Sequence, residues 1–203
     1  MAQSLEYYFD IVSPNAYLGE VMLGRLEAKH GLSFERKPIL LGGLMKALGT
    51  QPPFLALQSA PAKLNHYRYE MQRFADRNAI PFSVNPHFPL MTLTVQRLCF
   101  SAKAFNCEAE YLAAIYKAMW VEGQPIDKSE VIEQVLQAAD LPTAELLAHA
   151  KSPENKRALM QATKEAEAKG VFGAPTTFVG EELFFGKDSL DQVELELRHQ
   201  AII

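Results

Sequence analysis

The run Leu5-Glu6-Tyr7-Tyr8-Phe9-Asp10-Ile11-Val12, followed at once by Ser13-Pro14, constrains this chain more than any other stretch. Its aromatic and β-branched residues occupy both alternating faces, as in a central strand covered on both sides. Proline is tolerated in the first turn of a helix, where its missing N–H costs nothing. Leu18, Val21, Met22 and Leu26 then recur at helical spacing, and Gly31 supplies a stop. Ser33 to Leu40 reads as a second strand. A strand–helix–strand unit of this kind favours a right-handed parallel pair.

Leu41 to Pro61 carries Gly42-Gly43 and Pro52-Pro53 and reads as a short helix with an ordered loop. From Ala62 to Gly170 the pattern is helical, with segments near 62–78, 92–106, 108–121, 129–139 and 153–169. Asp127 with Glu130, and Ser152 before Pro153, read as helix starts. The chain then returns to β structure at Val171-Phe172-Gly173-Ala174-Pro175-Thr176-Thr177-Phe178-Val179. A Gly180-Glu181 turn, a short strand from Leu183 to Phe185 and a last helix with Leu190, Val193 and Leu197 on one face complete it. The order is βαβ, helical block, ββα. This is an α/β chain in which residues 1–61 and 171–203 form a thioredoxin-like unit and residues 62–170 form an all-helical insertion.

With 203 residues, 48% hydrophobic and 22% charged, the chain reads as an ordinary globular protein. A net charge of -4 gives no electrostatic footprint for nucleic acid or an anionic membrane. The N-terminus lacks a basic region and an apolar run, and no stretch reaches the length of a bilayer span. The two cysteines, Cys99 and Cys107, lack Cys-x-x-Cys spacing and read as buried small hydrophobes, which suits a reducing cytoplasm. The five histidines show no metal-ligand spacing, and no phosphate-binding glycine loop or serine-hydrolase elbow is present.

Ser13 has two readings that can coexist. It is a good N-cap, and it is also a hydroxyl at a helix N-terminus, where backbone N–H groups and the helix dipole stabilise an anion such as a bound thiolate. Pro175 reads either as a trans proline at a strand edge or as a cis proline exposing the backbone of Ala174. Asp188, where the last helix begins, is a cap candidate and a candidate partner for a ligand ammonium group. Thr50, Lys63 and Lys187 are candidate polar contacts. Trp120, Phe100 and Phe105 lie at helical spacings and read as core.

Tyr8-Phe9-Asp10, Ser13-Pro14, Tyr17-Leu18, Gly49-Thr50-Gln51-Pro52-Pro53, Ile80-Pro81-Phe82, Trp120-Val121-Glu122-Gly123, Phe172-Gly173-Ala174-Pro175-Thr176 and Phe184-Phe185-Gly186-Lys187-Asp188 fall in a familiar order and spacing. From end to end the chain resembles the family of 2-hydroxychromene-2-carboxylate isomerases and kappa-class glutathione transferases, a DsbA-like branch of the thioredoxin superfamily. The resemblance implies glutathione as cofactor or co-substrate, a small aromatic electrophile as partner, and a homodimer. It places Ser13 beside the glutathione sulfur and the backbone of Ala174, before a cis Pro175, against the cysteinyl unit. It also places Asp188 with its neighbours Lys187 and Ser189 at the γ-glutamyl end, and Lys63 at the glycyl end.

The chain departs from the family pattern at Thr50 and Met91, where many members have asparagine, and at Ser189, where kappa enzymes often have arginine. The implied activity is glutathione-dependent isomerisation by reversible thiolate addition to a conjugated aromatic pyruvate, with Lys46 or Arg68 as candidates for the substrate carboxylate. A kappa-like transferase or peroxidase acting on other electrophiles is the alternative. A non-catalytic thiol-peptide binding protein is a third reading, and a serine hydrolase the weakest. Dithiol chemistry is not expected, because Ser13-Pro14-Asn15-Ala16 supplies no thiol.

Overall fold

In a computed structural model describing residues 3–203, four strands form one mixed sheet in the order β2-β1-β3-β4. Met1 and Ala2, which open the 1–61 segment and the N-terminus read above, lie outside the described residues. β1 (Leu5–Phe9) pairs in parallel with β2 (Glu35–Pro38) and antiparallel with β3 (Thr176–Val179). β3 pairs antiparallel with β4 (Glu182–Phe185) across the expected two-residue Gly180-Glu181 turn. The mixed sheet therefore follows the expected order.

β1 alternates as its composition requires. Tyr7 and Phe9 belong to the main core, which gathers α1 (Pro14–His30), the helical block and the C-terminal helix α10 (Leu190–His199). Tyr8 points the other way, into a smaller core with Ile39, Leu44, Ala166, Val171 and Phe178. That second face is covered by α2 (Leu41–Ala47) and α9 (Pro153–Ala168). Both faces of the strand are thus dry, which explains its unbroken apolar character.

The remaining helices are α3 (Pro53–Ala56), α4 (Pro61–Arg77), α5 (Leu93–Ala104), α6 (Glu108–Trp120), α7 (Ser129–Ala138) and α8 (Thr143–Lys151). The main core runs without a break from Phe9 and Leu18 into Leu98, Tyr111, Trp120 and Leu146 of the helical block. Among the described residues no helix is long and apolar enough to cross a membrane.

Gly31 ends α1 with φ 67°, a left-handed conformation glycine adopts without penalty, while its N–H caps Glu27 O. Ser152 caps α9 as expected, its hydroxyl accepting from Asn155 N at 3.1 Å.

Three expectations need correction. β1 stops at Phe9, not Val12, because Asp10 turns the chain: Val12 N donates to Asp10 Oδ1 and Ser13 N to Asp10 O. Asp127 does not cap α7, because a turn closed by Lys128 N and Pro125 O delays the helix to Ser129 and leaves Asp127 Oδ1 buried without a partner. α8 adds a helix between 139 and 153 that the Leu141-Pro142 break conceals; its first residue, Thr143, directly follows Pro142.

Candidate active site

The exit from β1 is fastened from three directions, and this fixes Ser13. Asp10, 1% exposed, accepts from Val12 N and Thr92 Oγ1 on one oxygen and from Leu41 N on the other. Gln96 of α5, fully buried, receives Ile11 N on its oxygen and donates to Phe9 O and Ile39 O, closing the ends of β1 and β2 together. Trp120 of α6 donates from Nε1 to Ile11 O at 2.9 Å. Buried backbone groups that leave a strand need such partners, and here the helical block supplies them. Burial outweighs the three donors at Asp10 and pushes its carboxyl up to about 6.

Ser13 stands at the N-cap of the 17-residue α1, with φ -86° and ψ 115°. Its hydroxyl accepts from Ala16 N at 3.2 Å and donates to Ala174 O at 2.9 Å. The expected cap is made, and the hydroxyl also faces the loop that precedes β3. The Ala174–Pro175 peptide bond is cis. Pro175 O accepts from Gly186 N at 2.9 Å, which ties this loop to the start of the Lys187–Ser189 turn. Gly173 has no room for a side chain, because a Cβ there would lie 2.7 Å from Phe185 Cε2.

Lys187, Asp188 and Ser189 form a 3-10 turn ahead of α10. Lys187 is 5% exposed, and its ammonium sits 2.6 Å from each Asp188 carboxylate oxygen and 4.2 Å from the centre of the Phe74 ring. The expected N-cap at Asp188 is therefore not made: the carboxylate answers the buried ammonium, and its side chain stays 72% exposed. Ser189 is buried and donates to Gly186 O at 2.8 Å, so its hydroxyl holds the turn.

α4 closes the arrangement from the side. Tyr67 accepts from Asn15 Nδ2, and burial together with the nearby Asp188 charge pushes its phenol up. Lys63 lies one helical turn before Tyr67 and is exposed. The structure therefore gathers Ser13, Ala174 and Pro175 directly, and links Lys187, Asp188 and Ser189 to them through Gly186. Thr50 is exposed after α2, its hydroxyl 3.4 Å from Met45 O, and among the described residues it makes no hydrogen bond to the other site residues. Lys46 and Arg68 are exposed.

Asn15, Tyr67, Phe74, Gln96 and Thr92 escape the sequence reading. Asp10 entered it only within the Tyr8-Phe9-Asp10 motif. Neither thiol hydrogen-bonds Ser13, and Cys99 Sγ lies against Val95 O and Gln96 Oε1. Cys99 is fully buried in α5, and burial pushes its thiol well up. Cys107 is only partly buried, which corrects its reading as core, and precedes α6. Among the described residues no group of three or more His, Cys, Asp and Glu could hold a metal.

A strand leading to a capped helix, a cis proline facing the cap and an intervening helical block define a DsbA-like thioredoxin protein. The model of the DSBA-like thioredoxin domain matches residues 4–198, and the chain belongs to that family. It is 27% identical over 205 residues to 2-hydroxychromene-2-carboxylate isomerase of Sphingobium xenophagum, covering 96% of this chain and 97% of the relative. It is 26% identical to glutathione S-transferase kappa 1 of Rattus norvegicus, covering 92% and 87%. A solved structure of 2-hydroxychromene-2-carboxylate isomerase superposes with a TM-score of 0.86 at 24% identity, covering 97% of this chain and 95% of that one. The fold is shared, and the named relatives are isomerases and glutathione transferases.

Proposed function

We propose that this chain is a glutathione-dependent isomerase of the 2-hydroxychromene-2-carboxylate type. The observation that carries the reading is Ser13: a hydroxyl fixed at a helix N-terminus, facing the loop of a cis proline, where a redox relative would carry a cysteine. Such a site suits a thiolate supplied from outside.

The residues fit a thiol tripeptide. A serine hydroxyl has one proton, and here it goes to Ala174 O. When Ser13 serves a sulfur anion it re-aims that proton, and the Ala174 carbonyl becomes free to accept an N–H from the bound cysteinyl unit. The two exchanges are complementary, so neither polar group is left alone. Asp188 presents an exposed carboxylate for an ammonium group, with Lys187 held beneath it. Lys63 reaches from α4 for the carboxylate at the glycyl end. Ser189 contributes through the turn it braces, and Thr50 through the loop after α2.

When bound, glutathione supplies a thiolate that adds reversibly to the conjugated double bond of an aromatic pyruvate, allows rotation, and leaves regenerated. Ser13 and the first turn of α1 lower the thiol's pKa and so raise its thiolate fraction at neutral pH. A homodimer and a cytoplasmic location accompany this proposal.

A kappa-like transferase is the second reading, favoured by relatives of that name at similar identity. An ultraviolet assay of the purified protein with the chromene, with and without glutathione, tests the first reading. Turnover that requires glutathione and leaves total free glutathione unchanged supports it. Turnover without glutathione, or accumulation of a thioether or disulfide, contradicts it.

A further inference from the structure

Tyr67 of α4 stands between two parts of the candidate site. Asn15 of α1, two positions after Ser13, donates from Nδ2 to the Tyr67 hydroxyl oxygen. Asp188 lies close enough for its charge to act on the same phenol. Tyr67 and Asn15 are both only partly buried, and the Asp188 side chain is largely exposed.

A phenol has one proton to give and an oxygen that accepts. At Tyr67 the oxygen is taken by Asn15, while among the described residues the proton meets no acceptor. Burial, and then the Asp188 charge, push the phenol's ionisation up, so it keeps that proton. Its neighbours are already committed. Lys187 gives its ammonium to both Asp188 oxygens above the Phe74 ring, and Ser189 gives its hydroxyl to Gly186 O. Ser189 also stands where kappa enzymes often have arginine, so the turn offers no guanidinium.

An amino-acid end group carries an ammonium and a carboxylate on one carbon. Asp188 can answer only the ammonium. The carboxylate beside it needs a donor close to Asp188, and a hydrogen bond to a charged acceptor is the stronger kind. We propose that Tyr67 donates its hydroxyl proton to the α-carboxylate of the γ-glutamyl unit of bound glutathione, with Asn15 holding the phenol in place. The inference rests on the glutathione-binding reading above and adds to Asp188 the second half of a clamp for a zwitterion. Tyr67 touches the ligand, and Asn15 is a positioning residue that acts through it.

Titration calorimetry tests this by comparing glutathione with γ-aminobutanoyl-cysteinylglycine, which keeps the amine and lacks only that carboxylate. The parent should bind glutathione about tenfold more tightly than the analogue. Tyr67→Phe keeps the ring; it should weaken glutathione about tenfold, leave the analogue unchanged and so abolish the preference. Asn15→Ala should weaken glutathione about threefold, again without affecting the analogue. Melting temperatures check that each variant is folded, and either one carries the test alone. A parent that binds no glutathione contradicts the proposed function, and the inference falls with it. Glutathione binding without a preference over the analogue, a preference that survives in the folded variants, or a loss equal for both ligands overturns the inference alone.

Discussion

Ser13 and Ala174 stand 161 positions apart in sequence, yet the Ser13 hydroxyl donates to the Ala174 carbonyl at 2.9 Å while capping α1. One side chain thus joins the start of α1 to the loop before β3. Ser13→Ala removes the cap and leaves a buried carbonyl without its donor. Stability should fall by about 1–3 kcal/mol. Urea unfolding followed by circular dichroism measures it, and an unchanged midpoint would show that the bond contributes nothing.

Gln96 offers a second test of how the site is held. It makes three bonds to backbone groups of Ile11, Phe9 and Ile39, all inside the core. Gln96→Leu should cost about 2–4 kcal/mol and, by loosening the exit from β1, lower turnover in protein that remains folded. A variant as stable and as active as the parent would contradict this account.

Much of the architecture was legible locally. The aromatic run before Ser13-Pro14, Gly31 at the end of α1 and Gly180-Glu181 between β3 and β4 each carry their signal within a few residues. The end of β1 was not legible, because Asp10 turns the chain with help from Thr92 and Leu41, which are distant in sequence. Asp188 looked like a cap because a neighbouring Lys187 is usually solvated; burial of that lysine against Phe74 reassigns the carboxylate. Tyr67 and Asn15 meet only through packing of α4 on α1, which no spacing announces.

Asp10 makes stability depend on pH. Its carboxyl rises from 3.8 to about 6 on folding, so the native state holds the proton over a range where the unfolded chain has lost it. Its contribution is complete below pH 3.8 and is lost as pH rises through about 6. The loss is roughly 3 kcal/mol by linkage. Urea midpoints of the parent and Asp10→Asn between pH 4 and 8 isolate this effect, because all other groups are common to both. Parallel curves would contradict it.

The Lys187–Asp188 pair predicts an asymmetric response. Asp188→Asn leaves a buried ammonium without its counter-charge and should cost about 1–3 kcal/mol, whereas Lys187→Met should be nearly neutral for stability. Under the proposed function, Asp188→Asn also weakens glutathione binding. Melting temperatures and glutathione titrations separate the two effects, and equal destabilisation by both substitutions would refute the asymmetry.

The account turns on whether the first turn of α1 and Ser13 hold a thiolate. Ultraviolet titration of glutathione bound to the protein measures that directly through the absorbance of the anion. The parent should ionise the bound thiol at least one pH unit below the usual value of about 8.5, and Ser13→Ala should return it upward by about one unit. A bound thiol that titrates as it does free in solution, or identically in both proteins, would contradict the account.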